Sequence, residues 1–373
     1  MAALKTADHI KKCRRSWSLT TWRKRPSLTW CIAYALVTLA ALASALVLWL
    51  CLTCDDFQRV SFDPPAGLYE RHAAGSLDTH HWKVTPQVDY VAMAPYNFSF
   101  LIEEQSACQR STASPHSGQV VLLVAAYTAP ADWQRRQVIR QTWGNSTFLS
   151  SMASILVFPL GRTLDSDIAA RVQHESKTYK DIIQGDFVDS YRNLSYKGIL
   201  TLQWASRFCS EARFLLKVDI DVFPNIKALV PFLLRSYGNE AHFLGCKVHW
   251  RSLALRPGDW CGKWCVGNKE YRPRFYPPYC SGSAYIISGD LLGPLARTAR
   301  SLPVWWVADV YLTGIVPNIL GDVKHIVLRD YMEEDPDYLM TRLKGPGSNS
   351  VLLAFVRGPE DIRKAWSILQ SKR

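Results

Sequence analysis

The chain has 373 residues, 48% of them hydrophobic and 20% charged, enough apolar content to bury at least one large core and to exclude disorder as its general state. Its formal charge of +12 is no argument for nucleic-acid binding. Residues 1–26 hold eight Lys or Arg against one acid, Asp8, which leaves +5 for everything else.

Residues 1–27 read as a basic tail. Residues 28–53 follow through "CIAYALVTLAALASALVLWLCL" without a charged side chain, and a bilayer-spanning helix needs only about 20 apolar residues. A secretory signal has a shorter apolar core, of about 7–15 residues, ending at small side chains, whereas Trp49 and Cys51 stand at that place here. Lys5, Lys11, Lys12, Arg14, Arg15, Arg23, Lys24 and Arg25 precede the span, and Asp55 and Asp56 follow it. The excess of cations on one side predicts a cytoplasmic N-terminus, hence a single-pass type II, signal-anchored membrane protein with its bulk in a lumen.

Two further features fit that compartment. Apart from Cys54 directly at its edge, six cysteines lie beyond the span (Cys108, Cys209, Cys246, Cys261, Cys265, Cys280), an even number suited to disulfides whose pairing is not legible from spacing. Asn97, Asn145 and Asn193 each head a sequon and are expected glycosylation sites. Residues 54–117, with Pro64, Pro65, Pro86, Pro95 and Pro115 and no sustained period, read as a stem. A globular domain is expected over 118–373.

That domain opens with "GQVVLLVAAY", a strand rich in β-branched residues. A helix is predicted over 131–143, a strand at "ASILVFPL", helices over 165–178 and 196–209, a strand at "RFLLKV", a helix at "NIKALVPFLLRSY" and a strand at "HFLGCKV". Alternation without hairpin signals predicts an α/β fold with a mostly parallel central sheet.

"RFLLKV" runs into Asp219, Ile220 and Asp221. Ligands in such sheets bind outside the carboxyl ends of strands. If the extended conformation continues, both acids face the crevice while Ile220 points to the core. Paired carboxylates without His or Cys suit a hard divalent ion, Mn²⁺ or Mg²⁺, which recruits phosphate oxygens. The alternative is a pair of loop acids capping the helix that begins near Asn225.

Five segments in order resemble glycosyltransferase family 31, the β1,3-galactosyl- and β1,3-N-acetylglucosaminyltransferase group, over about residues 118–315: "RRQVIRQTWG", "YKDIIQGDFVDSYRNLSYK", "LLKVDIDVF", "YPPYCSGSAYIIS" and "ADVYLTG". The resemblance implies a GT-A type nucleotide-sugar-binding domain in the Golgi lumen. It implies an inverting transfer of galactose or N-acetylglucosamine from a UDP-sugar, in β1,3 linkage, to a glycan acceptor on glycoprotein or glycolipid. Asp219 and Asp221 take the metal-binding positions and Asp309 that of the general base, which an attacking hydroxyl requires. The motif matches also put Arg136, Arg140, Trp143, Lys217, Tyr279 and Gly282 among the expected substrate-binding positions.

Three departures stand out. Ile220 replaces the middle acid of the family's D-D-D, and Ala308 replaces the acid before the base. In "FVRGPEDIRKAW", Arg357 stands near the place of a metal-binding His, where it could contact diphosphate. Ala308 and Arg357 keep a second reading open, a relative that binds glycans or acts as a membrane-anchored chaperone without turnover.

Several residues carry two readings. Arg136 and Arg140 share a helix face and either receive the nucleotide or pair with acids. Of Trp305 and Trp306, adjacent and so oppositely directed, at most one can stack on a sugar ring. Cys261 and Cys265 fit a disulfide better than zinc, His249 being the only nearby His. His325 is a substitute metal ligand or a structural His, and the acids Glu333, Glu334, Asp335 and Asp337 read as a solvated loop.

Overall fold

The computed structural model describes residues 90–93, 98–109 and 119–371. The predicted tail, the membrane span and Asn97 lie outside these residues. No helix among the described residues is long and apolar enough to cross a membrane.

Eleven strands are described: β1 (Phe100–Ile102), β2 (Leu122–Tyr127), β3 (Ser154–Arg162), β4 (Ile182–Val188), β5 (Phe214–Asp219), β6 (Val222–Pro224), β7 (Phe243–His249), β8 (Tyr279–Ser288), β9 (Lys324–Val327), β10 (Met332–Glu333) and β11 (Leu353–Phe355). Eight form one sheet in the order β1-β4-β3-β2-β5-β8-β7-β9, and β10-β11-β6 form a second. The run β4-β3-β2-β5 is parallel, as expected. β8 lies antiparallel between β5 and β7, β7 is parallel to β9, and β1 is antiparallel to β4. The sheet is therefore mixed at both ends rather than uniformly parallel.

The reason β2 is apolar throughout is visible in its packing: all six residues are buried. Leu123, Ala125 and Tyr127 face one core cluster, while Leu122, Val124 and Ala126 face the other. A strand covered on both faces reads as a continuous apolar run. Helices α1 (Trp133–Gln141), α3 (Ser166–Tyr179), α4 (Leu194–Phe208) and α5 (Ile226–Tyr237) sit close to their predicted places, and α2 (Ser146–Ser151) is a short helix the sequence did not predict. Asp165 caps α3, accepting from Asp167 N and Ile168 N, and Asn225 caps α5, accepting from Ala228 N.

Part of the expected stem belongs to the folded unit. Phe98 packs against Phe187 and Tyr196, β1 pairs with β4, and Cys108 is bonded to Cys209. Val91 N donates to Glu270 O and Met93 N to Val304 O, and the Tyr90 ring packs on Trp305. Prolines mark the segment as irregular, but its aromatic residues have core sites to fill.

Candidate active site

Chain order reverses between β2 and β5: β3 and β4 lie on one side of β2 and β5 on the other. Such a switch point opens a crevice at the carboxyl ends of the strands. Tyr127 ends β2 and pairs with Asp219, which ends β5. Because β8 is antiparallel to β5, its first residues reach the same end, with Tyr285 beside Lys217 and Ala284 beside Val218. A cavity of about 510 Å³ opens there, lined by Lys217, Asp219, Tyr279, Gly282 and Asp309 together with a largely aromatic wall.

Lys217 is the hub. Its side chain is buried, and its Nζ donates to Asp219 Oδ1 at 2.6 Å and to the Gly282 carbonyl. The ammonium lies 4.8 Å from the Tyr127 ring centre and 5.8 Å from that of Tyr285, within range of cation–π attraction. Asp309 stands in the short helix α6 (Ala308–Val310), formed ahead of a π-helical turn, Tyr311–Ile315. Its Oδ1 accepts from Val310 N at 2.9 Å. A side chain at position 282 would put Cβ 3.2 Å from Asp309 Oδ2, so that oxygen would have to give by a few tenths of an ångström.

Burial raises the Asp309 pKa. The Val310 amide and Lys217 pull it back, while Asp219 adds to the rise. Asp219 is raised as well, by burial first and by the charge of Asp221, against the pull of Lys217. Ala308 therefore does not leave Asp309 with the proton affinity of a free aspartate, because the tertiary surroundings supply what a neighbouring acid in sequence does not.

The pair of acids differs from the expected alternation. β5 ends at Asp219, and Ile220 and Asp221 form a turn before β6, so Ile220 is half-buried rather than a core residue and Asp221 is exposed. The backbone turns because β6 must leave the large sheet to pair with β11. Val356 N donates to Asp221 O, which brings Arg357 within one residue of that contact, but the Arg357 side chain is exposed and paired with Asp337.

The residues present fit a hard divalent ion through their carboxylate oxygens; Lys217 already offsets part of the charge on Asp219, and a cation between Asp219 and Asp221 would relieve the repulsion that remains. No group of three or more His, Cys, Asp or Glu placed for metal binding occurs among the described residues. The remaining ligands would be water and phosphate oxygens.

Arg136, Arg140 and Trp143 are placed otherwise than expected. Arg136 is fully buried, its Nε and Nη2 held by Glu175 at 2.8 and 2.7 Å, and it also donates to Thr128 Oγ1, Ala129 O and Pro130 O. Arg140 bridges Glu175 and Asp181. Trp143 is buried in the core among apolar side chains. None of the three lines the cavity; the two arginines meet buried acids that sequence spacing does not reveal, and Arg136 fixes the loop that follows β2.

Trp306 lines the cavity and Trp305 is core. His249 stacks on Tyr279, 4.9 Å between ring centres, and Cys261 is bonded to Cys265, the disulfide alternative to zinc. Cys246 is bonded to Cys280. His325 Nε2 is 2.7 Å from Thr313 O, a structural contact. Glu334, Asp335 and Asp337 of the acidic stretch are exposed, as expected, while Glu333 is buried and pairs with Arg342; Glu334 also pairs with Lys247, and Asp335 caps the helix Pro336–Lys344. Asn145 caps α2 through Phe148 N, and Asn193 Nδ2 donates to Val188 O.

Sequence reasoning passed over Tyr127, Tyr191, Tyr276, Tyr285, Lys263 and Trp264, all of them in the lining. Tyr127 had a signal as the last residue of a predicted strand, and Tyr191, Tyr276 and Tyr285 lie within the family-like segments, where no role was assigned to them. It also passed over Lys197, buried on α4, whose Nζ donates to Thr128 O at 2.7 Å and Asp189 Oδ1 at 3.0 Å.

A cavity that combines a half-buried acid, a lysine-held acid and an aromatic wall at a switch point suits a polar, ring-bearing ligand. The galactosyltransferase family model matches residues 134–328. β-1,3-Galactosyltransferase 1 of Mus musculus is 28% identical over 281 residues, 75% of this chain and 81% of that protein. UDP-GalNAc:β-1,3-N-acetylgalactosaminyltransferase 1 of Sus scrofa is 32% identical over 259 residues, 67% of this chain and 75% of that one. Lactosylceramide 1,3-N-acetyl-β-D-glucosaminyltransferase of Rattus norvegicus is 31% identical over 256 residues, 66% of this chain and 63% of that one. The chain belongs to the galactosyltransferase family and is a glycosyltransferase.

Proposed function

We propose that the protein is an inverting β1,3-glycosyltransferase that takes galactose or N-acetylglucosamine from a UDP-sugar and works from a single-pass type II anchor in the Golgi membrane. The observation that carries this reading is the convergence of Asp309, Gly282, Lys217 and Asp219 on one cavity at the switch point.

An acceptor hydroxyl attacks the anomeric carbon from the face opposite UDP. Its proton passes to Asp309 Oδ2, the C–O bond to phosphate breaks, and UDP leaves with that electron pair. Lys217 favours the ionised form of Asp219 against its burial, holds it in place, and adds positive charge beside the departing diphosphate. Asp219 and Asp221 would hold Mn²⁺ or Mg²⁺, which when bound neutralises charge on the diphosphate. Tyr279, Tyr276 and Trp306 offer apolar faces on which sugar rings stack. Glycans on Asn145 and Asn193 belong to the same reading, since both side chains are partly exposed.

UDP release measured across a panel of UDP-sugars with Mn²⁺ and acceptors, beside Asp309→Asn, tests it. Turnover with one donor, lost in the variant, is the expected result. Glycan binding without turnover on any donor would replace this reading with that of a non-catalytic relative.

A further inference from the structure

Across the carboxyl ends of the strands the order runs β2, β5, β8, β7. Pairing of β8 with β5 stops at Ala284 opposite Val218, whereas its pairing with β7 continues to Tyr279 opposite His249. The β7–β8 pair therefore projects past the end of β5 and carries both rings into the cavity lining.

His249 is held there with its polar atoms unused. Its half-buried ring lies against that of Tyr279, 4.9 Å between centres and 24° between planes, and makes no hydrogen bond among the described residues. Burial first, and then the charge of Lys247, lower its pKa against the pull of Glu334. At neutral pH the imidazole is therefore uncharged, with one nitrogen to donate and one to accept. A polar ring fixed in a cavity with both functions open is a place for a hydroxyl.

The stacked pair is tied to the proton acceptor. The bond between Cys246 and Cys280 joins β7 to β8 close by. Cys280 N donates to Thr313 Oγ1 at 2.9 Å, and Thr313 Oγ1 donates to Asp309 O at 2.6 Å. A Cβ on Gly314 would come within 3.1 Å of Tyr279 Cβ, so the π-helical turn that follows Asp309 rests directly on the strand. His249, Tyr279 and Asp309 thus belong to one braced unit.

We propose that His249 binds a hydroxyl of the acceptor sugar other than the one that reacts, and so selects which acceptor presents its nucleophile to Asp309. Strand order gives the side. Asp219 ends β5 on one side of β8 and His249 ends β7 on the other, with Asp309 Oδ2 beside Gly282 of β8 between them. Attack opposite the leaving diphosphate brings the acceptor in from the side away from Asp219. Binding of a sugar hydroxyl by His249 stands on the cavity geometry; that this sugar is the acceptor rests on the transferase reading.

The test is an NMR titration of the full chain in detergent micelles, with UDP and Mn²⁺ present, using benzyl glycosides of galactose, N-acetylglucosamine and N-acetylgalactosamine and their singly deoxygenated analogues. His249→Phe keeps an aromatic ring against Tyr279 without the nitrogens, and His249→Gln keeps a donor and an acceptor. The Kd of at least one glycoside is expected to rise about tenfold in His249→Phe and less in His249→Gln, with the Kd for UDP and Tm unchanged. Removing one non-reacting hydroxyl from that glycoside is expected to weaken binding to the parent by a similar factor and to have no further effect in His249→Phe. Glycoside binding indifferent to His249→Phe, no glycoside bound by the parent, or a loss shared equally with UDP overturns the proposal. Should His249→Phe lower Tm, the same hydroxyl deletion in parent and His249→Gln decides, equal penalties overturning it. UDP release from the donor panel is followed in the same preparations. A His249-dependent glycoside affinity without UDP release from any donor removes the transferase reading and leaves the sugar site; UDP release with the acceptor KM unchanged in both variants does the reverse.

Discussion

A carboxylate that takes a proton from a sugar hydroxyl works best when its proton affinity exceeds that of free aspartate. Asp309 gains this from burial and from Asp219, and is held back by the Val310 amide and Lys217. The acid limb of kcat/KM is therefore expected above the ordinary carboxylate range of about 4, and Lys217→Gln is expected to move it higher, as a pH–rate profile will read. The sign for stability is opposite. A raised folded-state pKa contributes stability at low pH that is lost as pH rises through it, so Asp309→Asn is expected to raise Tm at neutral pH while lowering kcat about 10²- to 10⁴-fold. Gly282→Ala puts Cβ against Asp309 Oδ2 and is expected to lower kcat with little change in Tm. Chelation of divalent ions is expected to abolish UDP release, with Mn²⁺ restoring it to the parent and not to Asp219→Asn; recovery in that variant would remove Asp219 from the metal site.

At the scale of elements, the loop after β2 is held from two sides. Arg136 on α1 takes Ala129 O and Pro130 O, and Lys197 on α4 takes Thr128 O. The arginines outweigh the burial of Glu175 and keep its pKa low, so their contribution to stability is present above the unfolded pKa and lost as pH falls through the folded one. Arg136→Ala leaves Glu175 buried with Arg140 alone and is expected to cost about 3 kcal/mol, read by denaturant titration. A direct nucleotide contact would instead raise the donor KM at unchanged stability. Helices α1, α3, α4 and α5 and strands β2, β3, β5 and β7 were legible because an apolar period survives wherever an element has a core side, whereas β4, with Gln184, Gly185 and Asp186 in its middle, was not predicted. β8 was not, because "YCSGSAYIIS" mixes small polar residues lining the cavity with buried ones, and neither a helical nor a strand period dominates. The turn at Ile220 was illegible for a related reason: the partner that bends it, β11, lies some 130 residues away in the chain.

For the whole molecule, the bond between Cys108 and Cys209 ties a segment read as stem to the end of α4 across a sequence separation of 101. Loop-closure entropy alone gives about 4–5 kcal/mol for a ring of that size, so Cys108→Ser/Cys209→Ser is expected to lower the unfolding free energy by that order. Little change would show that residues 98–109 are held by β1 and Phe98 instead. Sequence alone determined the α/β class, the family and the approximate ends of four helices, because these follow from local periods and from motifs whose residues are near neighbours. Which charges meet was decided only by the folded chain. Arg136 found Glu175, Lys217 found Gly282 O, and Asp309 found its raised pKa through burial and groups distant in sequence. Electrostatic partners act through space within a few ångströms and leave no period along the chain, so a site made of them becomes visible only when the sheet has brought its strand ends together.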